Sequence, residues 1–167
     1  MLVSKSLRAC LTASVAALWV GSCLAADRIR PLTTQCIERA SAKYGIHTDV
    51  LLAILLVEGG TVGKDSKANS NGTYDIGPFQ INSMHRKELA SIGVDEQRLR
   101  NDGCVNAMVA ARHLRLITTP EMLKGVRTQE DYLSVIANYH SATPKYNKIY
   151  ADKLLKAFSM LYSSDQQ

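Results

Sequence analysis

No CxxC pair, no HExxH run and no two histidines at ligand spacing occur in this 167-residue chain, so none of the usual zinc signatures is present. No metal and no other cofactor is expected. Neither Cys36 nor Cys104 has the flanks of a papain-type nucleophile. Repeats, low-complexity tracts and linkers are missing as well, which leaves a single domain. Dense basic tracts are absent. The formal charge of +5 includes Lys5 and Arg8 with no acid among the first 25 residues, so +3 remains after them. A solvated face accounts for that excess, and nucleic-acid binding is not supported. Strand-like alternation is nearly absent too, apart from a hairpin signal around residues 70–80, so the chain should be mainly α-helical.

What is there begins with an export signal. Lys5 and Arg8 precede the apolar stretch LTASVAALWV (11–20), and the small residues of GSCLAA (21–26) follow it. This order of charge, apolar core and cleavage zone is that of a secretory signal peptide, with cleavage expected after Ala25 and a mature domain over 26–167. The apolar core is too short for a comfortable membrane span. VGSC (20–23) also resembles a lipobox, which makes a lipid-anchored Cys23 the alternative to a free periplasmic protein. Removing the leader discards Cys10, and with cleavage after Ala25 also Cys23. Cys36 and Cys104 then form an even pair in an oxidising compartment, and a disulfide between them is the default expectation.

Helical periodicity covers most of the rest. QCIERASAKY (35–44) puts Cys36, Ile37, Ala40 and Tyr44 on one face, between Thr34 and Gly45. A second helix, VLLAILLV (50–57), is apolar all round, with Thr48 or Asp49 as its expected N-cap, and ends in Glu58-Gly59-Gly60. A long Gly/Asn-rich loop, GGTVGKDSKANSNGTYDIG (59–77), follows it, and long loops between buried helices are usually functional. Further helices are expected from Asn82 or Ser83 to Ala90, over 104–118, over 131–140 behind a Thr128/Asp131 capping box, and from Pro144 to about Tyr162.

Glu58 is the residue that this pattern singles out. Apolar neighbours strip its carboxyl of hydration, and the C-terminal end of a helix dipole is a poor place for an anion. Both effects raise its pKa toward the range where a carboxylic acid can donate a proton at neutral pH. The plain alternative is a last-turn glutamate whose carboxylate reaches water.

Three segments extend the pattern: LLVEGG (55–60), NGTYDIGPFQIN (71–82) and ANYHSATPKY (137–146). Their order and spacing resemble those of the lytic transglycosylases of the lysozyme-like superfamily, over nearly all of residues 34–162. The resemblance is closest to the small enzymes that accompany conjugation, type IV secretion and related envelope-spanning machines. It implies a lysozyme-like domain with Glu58 as the single catalytic acid/base. It also implies a sugar groove lined by Phe79 and Gln80 of the G-x-x-Q stretch. Tyr139 matches the tyrosine whose hydroxyl supports the glutamate or the substrate, with His140 and Asp75 also at the groove. Cys36 and Cys104 resemble the cysteine pair of the secretion-associated branch. The chain departs from the family twice. Gly59 stands where a serine is frequent, and His140 stands where an asparagine is usual.

The activity so implied is cleavage of the bond between N-acetylmuramic acid and N-acetylglucosamine in peptidoglycan glycan strands, closing a 1,6-anhydro ring. The partners implied are those strands and components of a secretion, pilus or conjugation apparatus, and a monomer is expected. Two other readings stay open. One is a hydrolytic lysozyme with Asp75 as its second carboxylate, although Asp75 in such a loop is also a natural brace. The other is a non-catalytic wall-binding factor that uses the groove only to dock.

Overall fold

The computed structural model describes residues 28–164, so the expected signal peptide, Cys10, and Cys23 of the lipobox-like stretch lie outside the described residues. The first described stretch crosses the surface as a strap. The Arg30 N–H donates to the Asn101 carbonyl, and the Gly103 N–H donates to the Arg30 carbonyl. Eight α-helices and one two-stranded hairpin follow among the described residues.

Helix α1 (Thr34–Tyr44) starts at Thr33, whose hydroxyl accepts the Cys36 N–H, and stops at Gly45 in the left-handed conformation. Helix α2 (Thr48–Glu58) is capped one residue earlier than the sequence suggests. The imidazole of His47 accepts the Asp49 N–H, so Thr48 and Asp49 are already helical. Val50, Leu51, Ala53 and Ile54 are buried to within 3% of completely, which is why the helix reads as apolar all round.

The loop after α2 is pinned at several points. Arg100 makes a bidentate pair with Asp65 at 2.8 and 2.6 Å and also reaches Glu96, which accepts the Tyr74 hydroxyl. The loop ends in strands β1 (Asp75–Ile76) and β2 (Ile81–Asn82), paired antiparallel with Asp75 opposite Asn82 and Ile76 opposite Ile81. The hairpin signal in the sequence therefore lies a few residues late in the structure, around the turn at Gly77–Gln80.

A 3-10 turn at Ser83–His85 leads into α3 (Arg86–Ser91), and α4 (Glu96–Asn101) follows. Helix α5 (Gly103–Ile117) is capped by Asp102, whose carboxylate accepts the N–H groups of Cys104 and Val105. Helix α6 (Pro120–Lys124) precedes α7 (Gln129–Ala137), which begins with the expected capping box of Thr128 and Asp131. The long α8 (Pro144–Ser164) completes the domain. α1 packs on α5, and α8 packs on both α2 and α7. The resulting core is continuous and encloses Phe79 and Ile76 from the hairpin. Cys36 of α1 and Cys104 of α5 form the expected disulfide across 68 residues, with Cα atoms 4.7 Å apart. Among the described residues no helix is long and apolar enough to cross a membrane, and no cluster of three metal-binding side chains occurs.

Candidate active site

Glu58 is the last residue of α2, and the two glycines after it have separate jobs. Gly59 takes φ 61°, a left-handed cap whose N–H closes on the Leu55 carbonyl. That conformation suits glycine and disfavours the serine frequent at this position in the resembled family. Gly60 lies against the hairpin turn. Its N–H donates to the Pro78 carbonyl at 3.2 Å, and a Cβ there would overlap the Gly77 carbonyl and the Gln80 amide. The end of α2 and the 77–80 turn are thus locked together, which sets Glu58 beside Gln80.

The turn is held from two further directions and by a bond within itself. Asn106 of α5 is completely buried. Its Oδ1 accepts the Phe79 N–H at 2.9 Å, and its Nδ2 donates to the Ile76 and Leu99 carbonyls at 3.0 and 3.1 Å. The Tyr139 hydroxyl donates to the Phe79 carbonyl at 2.8 Å. Gln80 itself adopts φ 49°, unusual for a residue with a side chain, and its Nε2 donates to the Gly77 carbonyl at 2.8 Å. Glu58, Asp75, Gln80, Tyr139 and His140 all line one cleft of about 510 Å³.

Phe79 does not line it. Its ring is fully buried in the core, so the expectation that it touches a ligand is corrected. Its backbone is what the turn uses, with the N–H donating to Asn106 and the carbonyl accepting from Tyr139. Tyr139 is also used differently from the expectation, since its hydroxyl props the turn instead of bonding Glu58. Burial, then the nearby Glu58 carboxyl, push that hydroxyl well above its ordinary pKa, so it stays a donor.

The hydroxyl that meets Glu58 is Tyr150 of α8, which donates to Oε1 at 2.6 Å. Its ring is stacked face to face on His140, with centroids 5.0 Å apart and parallel planes. Periodicity marks Tyr150 as a core position of the last helix, and nothing local distinguishes it from its neighbours there. His140 lines the same cleft, as a plate behind Tyr150. Burial and the Lys153 ammonium lower its pKa, which favours the neutral ring. Asp75 both lines the cleft and braces the loop. Its carboxylate accepts from Asn82 Nδ2 at 2.7 Å and Asn69 Nδ2 at 3.5 Å.

The electrostatics at Glu58 follow from this packing. Loss of hydration raises its pKa from an ordinary 4.5 to about 7; the Tyr150 hydrogen bond opposes the rise, and the Asp75 charge adds to it. Near neutral pH the group is divided between acid and carboxylate. Replacing Tyr150 by Phe removes a donor to the anion while keeping the ring. That substitution is expected to move the Glu58 titration upward by about one pH unit, the effect of a charge-assisted hydrogen bond of ~1.5 kcal/mol. A carboxyl carbon-13 titration measures this, and an unmoved midpoint would show that Tyr150 does not hold the carboxylate.

Residues 35–153 match the family model described as the transglycosylase SLT domain. The chain is similar to protein IpgF of Shigella flexneri, with 34% identity over 79 residues, 47% of this chain and 52% of that protein. It is 33% identical to the invasion protein IagB of Salmonella typhimurium over 76 residues, 46% of this chain and 48% of that one. It is also 30% identical to a peptidoglycan-binding-like protein of Escherichia coli O157:H7 over 89 residues, 49% of this chain and 53% of that one. The alignments therefore span about half the length of each of these relatives.

Proposed function

For a chain that belongs to the SLT transglycosylase domain family, we propose a lytic transglycosylase that cuts peptidoglycan between N-acetylmuramic acid and N-acetylglucosamine. The observation that carries the reading is the Glu58 carboxyl in the cleft, bonded by the Tyr150 hydroxyl and raised by burial to a pKa of about 7. A group with that pKa can serve as acid and then as base at neutral pH. Protonated Glu58 gives its proton to the glycosidic oxygen as the bond from that oxygen to C1 of the muramic sugar breaks. Positive charge develops on the ring, and the Tyr150 hydroxyl stabilises the carboxylate left on Glu58. That carboxylate takes the proton of the C6 hydroxyl while O6 bonds to C1, closing the 1,6-anhydro ring. Glu58 ends as it began, and no water is consumed.

Asp75 favours one rival. A second carboxylate on the same cleft is the equipment of a hydrolase, which adds water instead of closing the ring. The products separate the two. Digestion of purified sacculi, read by mass spectrometry, is expected to give fragments ending in 1,6-anhydromuramic acid, each lighter by one water than a hydrolytic product. The internal hydroxyl outcompetes water because its effective concentration is very high. Predominantly reducing ends would overturn the transglycosylase and assign Asp75 the second role. A chain that binds sacculi and releases no fragments would be a docking factor only.

The wider setting we propose is an exported protein that opens the wall locally for an envelope-spanning secretion, pilus or conjugation apparatus. The leader sequence and the disulfide support export. The similarity to a protein named for invasion supports work alongside such an apparatus.

A further inference from the structure

The cleft that holds Glu58 runs on past the catalytic end to a wall of different character. Besides Glu58 and Asp75, the cleft is lined by Arg112 and His113 of α5, by Glu88 of α3 and by His85 just before it. Glu88 is the one acid of this group, facing three basic side chains. Arg112 Nη1 donates to its Oε1 at 2.7 Å, and His85 Nδ1 lies 3.9 Å from its Oε2. The His113 ring stands 5.2 Å from that of His85 and 5.4 Å, edge-on, from Tyr139. The Glu88 side chain is half exposed, whereas Arg112 is only 27% exposed, so Glu88 is the partner free to swing aside. Met84 and Leu116, both strongly exposed, border the same wall and offer apolar surface.

We infer that this basic end is a subsite for the acidic peptide stem of the glycan, with Arg112 taking a stem carboxylate in place of Glu88. The inference rests on the reading of the substrate as peptidoglycan. Sugars of the stem-bearing strand are uncharged, so an ion pair that can exchange its carboxylate adds nothing for the glycan alone. The lactyl ether of each muramic residue, by contrast, carries a short peptide with free carboxylates and alanine methyls. Those two features match a guanidinium bordered by Met84 and Leu116. The three bases around Glu88 hold its carboxyl below the usual range, with the Arg112 hydrogen bond as the main cause. An incoming carboxylate would meet the same field.

The two halves of the ion pair then have opposite effects. Arg112→Gln removes the receptor, whereas Glu88→Gln removes the competitor. The measurement is the ratio of kcat/KM on stem-bearing strands to that on strands stripped of peptide by an amidase, with the lactyl carboxylates so freed capped as methyl amides, counted as bonds broken whatever the ends. Arg112→Gln is expected to lower this ratio about tenfold, the low end for losing a hydrogen bond to a charged group. Glu88→Gln is expected to raise it. If both variants lower the rate on both substrates by one common factor, the pair is a structural tie between α3 and α5 and the proposal falls. An unchanged ratio in Arg112→Gln would overturn it too. A second measurement stands apart from catalysis. The released stem tripeptide, titrated into Glu58→Gln protein, should move the His85 and His113 ring proton signals, and adding Arg112→Gln should abolish that movement. Unmoved signals would sink the subsite even if cleavage proceeds as proposed, and moved signals would support it even if the products prove hydrolytic.

Discussion

Glu58→Gln is expected to reduce glycan cleavage by at least about 100-fold, the usual cost of removing a general acid–base group, while the protein still folds and still binds sacculi. The amide keeps the shape of the acid and can accept from Tyr150, but it cannot give up and retrieve a proton. The same variant should also become more stable at alkaline pH. A carboxyl whose pKa is about 7 folded and about 4.5 unfolded favours the native state fully below pH 4.5. Between 4.5 and 7 the unfolded chain releases its proton while the native protein keeps it, so native stability falls, and above 7 the loss is complete. Glutamine does not titrate. The variant should therefore match the wild type near pH 4 and exceed it above pH 7 by up to about 3 kcal/mol, less whatever solvent reaches the carboxyl. Activity assays and denaturant melts at pH 4 and pH 8 test both halves. More than a tenth of wild-type activity would remove Glu58 from its role. Equal stability at pH 8 would mean that the carboxyl ionises there without penalty.

The disulfide carries the second large effect. Cys36→Ala with Cys104→Ala is expected to destabilise the domain by roughly 4 kcal/mol, because the closed loop is long and the chain-entropy contribution grows with its length. For a domain of this size that is on the order of 10 °C in Tm. Non-reducing mass spectrometry should find no free thiol at Cys36 or Cys104 in exported protein, and calorimetry with and without reductant should show the drop. A double variant that melts with the wild type would mean that α1 and α5 hold together without the bond. Cys36 is 1% exposed and Cys104 is partly exposed, so the Cys104 sulfur is the half that a reductant meets first.

The readable parts of this protein were those whose causes are local. The cap at Thr128 follows from short-range hydrogen bonds between a side chain and the first turn, and it stands out in the sequence. Glu58 is legible for the same reason: a single acid between an apolar helix and two glycines has few ways to be hydrated. The short helices α4 and α6 were not legible, because six and five residues are too few to show a helical period. Asn106 and Tyr150 were missed for a different reason. On their own helices each is one more inward position. What makes them matter is partners 27 to 92 residues away, and periodicity carries no information about those. The error over Phe79 is the converse. A motif marks the segment that faces the cleft but not which of its side chains turns back into the core.

The hydrogen bond between Glu58 and Tyr150 also sets an order in time. The two residues are 92 positions apart, and the second lies on the last helix. A chain made from its N-terminus has the carboxyl from early on, yet gains the hydroxyl that steadies its charge only when the final segment packs. Chains stopped short of α8 therefore lack the donor to that carboxyl, and under the proposed function an unfinished molecule would be an unarmed one.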